Sequence, residues 1–170
     1  SMGTEVTVVE FMPNIVPVED EEISKQLEKS FKKLGINVMT SSEVTKVDTS
    51  GKGVKAYVKT AKGEEVLEAD ILLSAVGIKT NIENIGLEAV GIKTERDKIQ
   101  VNEFYQTNVP GYYAIGDVVP GQALAHVASA EGILCVEKIK GLHVEPINYG
   151  NIPGCTYCTP EIASVGLTEK

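Results

Sequence analysis

Two periods of apolar and polar residues follow one another along the first half of the chain. Glu5–Glu10 (EVTVVE) is a β-branched run and predicts a strand. Phe11–Val18 carries two prolines and reads as a loop. From Glu19 to about Leu34 the period lengthens. Ile23, Leu27, Phe31 and Leu34 recur at spacings of four, four and three, one stripe of an amphipathic helix. Glu19, Asp20, Glu21 and Glu22 stand at its start, Lys32 and Lys33 at its end, and Gly35 just beyond. Each placement suits the helix dipole or its cap, so these charges are read as local helix stabilisation. After a short strand at Ile36–Thr40 the period becomes two. Glu43–Asp48, Val54–Thr60 and Glu64–Glu68 are separated by TSGKG and AKG. They predict an antiparallel meander with one buried face.

At Asp70 the pattern changes. Asp70–Val76 (DILLSAV) is almost all apolar and suits a strand buried on both faces, as in a parallel sheet; Gly77 ends it. Lys79–Lys98 is loop-rich, with room for one helical turn. Ile99–Val101 and Tyr112–Ile115 are strand candidates, the second closed by Gly116-Asp117. Leu124–Lys140 predicts a helix whose inner face is Leu124, Ala128, Cys135, Val136 and Ile139, with Gly141 as its stop. Glu145–Gly154 is a linker rich in Gly, Pro and Asn, and Ile162–Val165 is strand-like. The first strand has nothing before it to pair with, and the last stretch stops in mid-pattern. Both ends read as cut, so the expectation is a piece of a longer protein.

Composition narrows the function classes. The 170 residues are 42% hydrophobic and 24% charged, which fits a folded chain rather than a disordered one. A net charge of −8 argues against nucleic acid, whose phosphates need Lys and Arg. No apolar run approaches the roughly 18 residues of a membrane helix. The cysteines number three, and the N-terminus carries no secretory pattern, so the setting expected is reducing and cytoplasmic.

Several patterns invite chemistry. Gly51–Ala56 (GKGVKA) fits G-x-G-x-x-A, but that fingerprint needs a strand before it and a helix after it. Here it lies between two strands, so it reads as a hairpin turn. Cys155-Thr156-Tyr157-Cys158 is a C-x-x-C. No helix follows to lower a thiol pKa, and no second tight pair completes a zinc set. Ordinary small residues, a labile disulfide and metal ligation all remain open, in that order, with no metal site expected. His126, early in the second helix, reads as structural before catalytic, and His143 as a surface residue. Glu10 ends an apolar strand. It is either an edge charge or the acid that bonds an adenosine ribose in a Rossmann unit. Asp117 follows a strand and Gly116. It is either an Asx turn or N-cap, or a carboxylate at the sheet edge where open α/β folds bind ligands.

At Thr107–Asp117 the sequence TNVPGYYAIGD resembles the second FAD motif, ending Y-A-x-G-D, of the pyridine nucleotide–disulfide oxidoreductases. VTVVEFMPNIVPVEDEEIS, ILLSAVGIKTN, ALAHVASAEG and YCTPEIASVGLTE resemble that family in its order, across essentially the whole chain. VEFMPNIVP and ALAHVASAEG point to the members that oxidise protein-bound dihydrolipoamide with NAD, through FAD and a redox cysteine pair. The resemblance implies an α/β fold: a partial FAD/NAD(P)-binding Rossmann-like fold with an antiparallel β-meander. Residues 1–77 would be the C-terminal part of an NAD-binding domain, 78–146 the returning segment of an FAD-binding domain, and 147–170 the truncated start of a dimerisation domain. Asp117 would bond the ribityl chain of FAD, and Gly116 would let backbone approach the cofactor. Leu124, Ala125 and His126 would lie under the flavin ring. Glu10 would hold the NAD ribose, and Gly77 would turn near the nicotinamide. Phe11 stands where NADP-preferring relatives carry a basic residue, which favours NAD.

Other features of that family are not in these residues. There is no G-x-G-x-x-G followed by a helix, no C-x-x-x-x-C pair and no C-terminal catalytic His–Glu pair. The chain by itself is therefore expected to be inactive, with no catalytic residue, and to hold neither FAD nor NAD firmly. The intact parent would be a homodimer serving lipoyl-bearing 2-oxoacid dehydrogenase or glycine cleavage complexes, with no nucleic acid or membrane partner. The alternatives are a mercuric reductase or soluble transhydrogenase of the same superfamily, a non-enzymatic interaction module, and last a C-x-x-C thiol oxidoreductase.

Overall fold

The structure is a computed structural model that describes residues 2–169. Its chain forms two compact units. The first runs to Ala75 and resumes at Pro153; the second is Val76–Ile152.

The first unit opens with a β-α-β crossover. Strand β1 (Thr7–Val9) pairs in parallel with β2 (Asn37–Met39), with Val8 opposite Val38, and helix α1 (Glu21–Lys33) makes the return. A parallel pair needs such a crossover, because a tight turn cannot reverse the chain twice. Ion pairs Glu21–Lys25 at 2.7 Å and Glu28–Lys32 at 2.8 Å run along α1. Both are exposed i,i+4 pairs, which solvent screens and which add only modestly to the helix. The helix ends in a Schellman turn. Gly35, at φ +77°, donates its amide to Lys32 O, and the Ile36 amide donates to Phe31 O.

The predicted stripe of α1 is turned by the fold. Ser24 and Leu27 are buried and Phe31 is half-buried, while Ile23 and Leu34 face solvent. The inner line is therefore Ser24–Leu27–Phe31. The Ser24 hydroxyl donates to Val16 O across 3.3 Å, and Leu27 packs with Ile15 and Ile162. Ile15 comes from the proline-bearing loop. Ile162 comes from a hairpin of β8 (Gly154–Thr156) and β9 (Ile162–Ser164) that returns from the far end of the chain. The Ser164 hydroxyl donates to Glu19, and the Glu169 amide to Asp20.

Three antiparallel strands follow: β3 (Glu43–Asp48), β4 (Val54–Thr60) and β5 (Gly63–Ala69), in the spatial order of their sequence. Ala56 and Val58 of β4 are buried and their neighbours alternate outward, as the period of two predicts. GKGVKA runs through the β3–β4 hairpin turn into the start of β4. Gly53 is at φ +80°, and a Cβ there would lie 2.6 Å from Ala69 O, so the turn demands glycine.

Asp70–Val76 corrects the reading of a buried strand. It is irregular and unpaired, with Leu73 87% and Val76 95% exposed. An apolar run becomes a strand only against partner strands, and none among the described residues lies beside it.

The second unit holds a one-turn helix α2 (Leu87–Val90), a small hairpin of β6 (Thr94–Glu95) and β7 (Lys98–Ile99), and helix α3 (Ala125–Ile139). Tyr112–Ile115 is not a strand; Tyr113 makes one isolated antiparallel bridge to Gln106. Helix α3 lies where the periodicity puts it, with a different face inward. Val127, Glu131, Leu134 and Cys135 are buried, whereas Val136 and Ile139 are exposed. Leu134 and Cys135 pack with Tyr105, and that packing chooses the face.

Candidate functional site: the Gly116–Asp117 turn and the start of helix α3

Ile115 is extended, and the chain then turns through a short 3-10 segment, Gly116–Val118. Gly116 takes φ +74°, and a Cβ there would sit 3.3 Å from the Cβ of Ala128 on α3. Gly132, one turn further along α3, answers it: a Cβ there would meet Ile115 Cδ1 at 3.2 Å. Two small residues thus let the turn lie close on the helix. Asp117 is exposed, and its carboxylate has no hydrogen-bond or ion-pair partner among the described residues. Its carbonyl oxygen accepts from Lys98 Nζ, which ties the turn to β7. This free carboxylate is neither an Asx turn nor a helix cap.

Helix α3 begins nearby in sequence without a conventional cap. Leu124 at the N-cap is extended and cannot accept through its side chain, and no acidic residue lies in the first turn. The first amides of α3, Ala125 and His126 among them, have no side-chain cap, with the positive end of the helix dipole behind them. His126 is exposed.

Behind the turn is a network that sequence reasoning missed. The carboxylate of Glu131, 1% exposed, receives the Gly116 amide on Oε2 at 2.6 Å and the Tyr149 hydroxyl on Oε1 at 2.6 Å. Tyr149 in turn shares a 3.0 Å hydrogen bond with the hydroxyl of Tyr105. Burial, together with the bond to the Glu131 carboxylate, pushes the Tyr149 phenol well above the ordinary range. Burial raises Tyr105 as well. The signal was an acid on an apolar stripe: Val127, Glu131, Leu134 and Cys135 follow helical spacing, and Glu131 breaks the hydrophobic sequence.

In the first unit, Glu10 directly follows β1. Its amide donates to Met39 O, and its Oε1 accepts the Met12 amide at 2.7 Å. That bond curls the carboxylate over the loop at the C-terminal end of the strand and leaves its other oxygen free to accept. Phe11 beside it is exposed. Gly77, in the second unit, takes φ +124° with open space around its Cβ position, so backbone conformation alone asks for glycine there.

Of the remaining candidates, the three thiols are free. Cys135 is buried, and burial raises its pKa; Cys155 is exposed, and Cys158 Sγ donates to Pro160 O. His143 is exposed, 3.3 Å from Glu145. Among the described residues, no three His, Cys, Asp or Glu side chains converge.

The parallel β-α-β crossover of the first unit and, in the second, the Gly-Asp turn packed on α3 are the features of a Rossmann-like α/β fold. The family model for pyridine nucleotide–disulphide oxidoreductases matches residues 1–132, and the chain belongs to that family of flavoprotein oxidoreductases. The chain is 52% identical over 171 residues to the dihydrolipoyl dehydrogenase of Rhizobium etli, covering 99% of this chain and 36% of that protein. With the dihydrolipoyl dehydrogenase of Zymomonas mobilis the identity is 45% over 170 residues, covering 99% and 36%. The crystal structure of LpdA from Mycobacterium tuberculosis superposes with a TM-score of 0.87 at 30% identity, over 97% of this chain and 36% of that one. The chain therefore spans about a third of the length of the curated relatives it matches.

Proposed function

We propose that these residues belong to a dihydrolipoyl dehydrogenase, in which they bind and orient FAD and NAD. FAD held there would supply two-electron transfer between a dithiol, oxidised to a disulfide, and NAD. The observation that carries the reading is the unpartnered carboxylate of Asp117, presented by a turn packed on α3. A free carboxylate accepts hydrogen bonds from polyol hydroxyls, which suits a ribityl chain. Gly116 keeps the backbone bare for close approach. The uncapped amides of Ala125 and His126, just after Leu124, favour negative charge, as a reduced flavin ring would place there. The free oxygen of Glu10 suits a ribose hydroxyl pair and repels a 2′-phosphate, which favours NAD.

These roles are binding roles, and no residue of the chain acts as nucleophile or base. Homodimerisation, a cytoplasmic setting and service to lipoyl-bearing complexes go with this reading. A titration of FAD into the protein, followed by quenching of flavin fluorescence, tests it. Asp117→Asn keeps the size and removes the charge, and is expected to weaken flavin binding about tenfold, the worth of one charge-assisted bond. Equal affinity of wild type and D117N would remove Asp117 from the site. The 170-residue chain alone is expected to show no lipoamide turnover, and measurable turnover would refute that.

A further inference from the structure

Among the described residues, Glu131 is the buried carboxylate. Removing a charge from water is costly unless hydrogen bonds replace its hydration. A leucine on this face of α3 would pack without that cost. The carboxylate instead spends one oxygen on the Gly116 amide and the other on the Tyr149 hydroxyl. The Gly116 amide belongs to the Ile115–Gly116 peptide plane, so the bond fixes the backbone on the N-terminal side of Gly116, one residue before Asp117. Gly116 itself lies close on α3, where a Cβ would sit 3.3 Å from the Cβ of Ala128. The second oxygen is anchored as firmly. Tyr149 is bonded to Tyr105, and its ring lies over Gly121, where a Cβ would come within 2.9 Å of Cε1.

We propose that Glu131 is a positioning residue. By clamping the Gly116 amide, it sets the direction in which Asp117 presents its carboxylate to a ribityl-type polyol, and Tyr149 holds the clamp in place. The ligand named here rests on the flavin reading above; the clamp itself does not.

The test compares wild type with Glu131→Ala, Glu131→Gln and Tyr149→Phe, all in the 170-residue chain. Two quantities are read: amide hydrogen exchange and resonance position at Gly116, and FAD affinity by fluorescence. In E131A, exchange at Gly116 should quicken about tenfold more than exchange along α3, because one strong acceptor is lost. In E131Q the amide keeps an acceptor, so exchange should stay within about threefold, while the Gly116 resonance shifts as its partner loses charge. Y149F should lie between. FAD affinity should fall in the same order. Uniform acceleration of all amides in E131A would show a merely structural role and overturn the proposal. So would an unmoved Gly116 resonance in E131Q, a variant mild enough to fold. If wild type binds no FAD, the flavin reading fails, and the exchange data decide the clamp independently.

Discussion

Glu131 and Tyr149 show how single residues tune their surroundings. A phenol whose folded pKa exceeds its unfolded one stabilises the fold fully below the unfolded value. That stability is lost as pH rises toward the folded value. Both Tyr149 and Tyr105 are shifted upward. Wild type should therefore lose stability as pH rises past about 10, the ordinary phenol value. The urea midpoint, measured between neutral and alkaline pH, should fall more steeply for wild type than for Tyr149→Phe. Parallel slopes would mean that the phenol is not held by the carboxylate. At this scale the sequence was legible where a motif spoke: Gly116 and Asp117 stood out through Y-A-x-G-D. Glu131 did not, because a buried carboxylate looks like any surface acid until its partners, Gly116 and Tyr149, are placed in space.

Elements were more legible than their faces. Helix α1, helix α3 and the three-stranded meander follow local periodicity, which neighbouring residues suffice to write. Which side of a helix is buried depends on distant chain. Ile15 and Ile162 turn α1 toward Ser24, and Tyr105 turns α3 toward Leu134. The consequence is measurable. Leu27 is 3% exposed and Leu34 is 60% exposed, although both lie on the predicted stripe. Leu27→Ala should cost about 2–5 kcal/mol and Leu34→Ala under about 0.5 kcal/mol, read from denaturation midpoints. Similar losses at both positions would mean that α1 buries the whole stripe.

At the scale of the whole molecule, the least legible segment is Asp70–Val76. Its apolar run describes a strand, and strand pairing is a property of neighbours rather than of the run itself. Here Ile71, Leu73 and Val76 stand in solvent. An exposed, β-prone apolar run, uncharged after Asp70, is a template for pairing between copies. Concentration-dependent light scattering is expected for the chain. Replacing Ile71, Leu73 and Val76 by serine should suppress it without lowering the melting temperature. Scattering unchanged by the triple substitution would place the sticky surface elsewhere. No helix among the described residues is long and apolar enough to cross a membrane.

The core of the first unit joins Ile15 and Leu27 to Ile162, with Val76–Ile152 strung between them. During synthesis, Leu27 leaves the ribosome long before Ile162 exists. At ~5–20 residues per second the wait is on the order of ten seconds. The inserted unit is complete within that interval, so it can close first. Helix α1 meanwhile waits with its inner line uncovered, a natural window for a chaperone. Closing order and chain order are thus inverted: a segment made after the inserted unit finishes the unit begun before it.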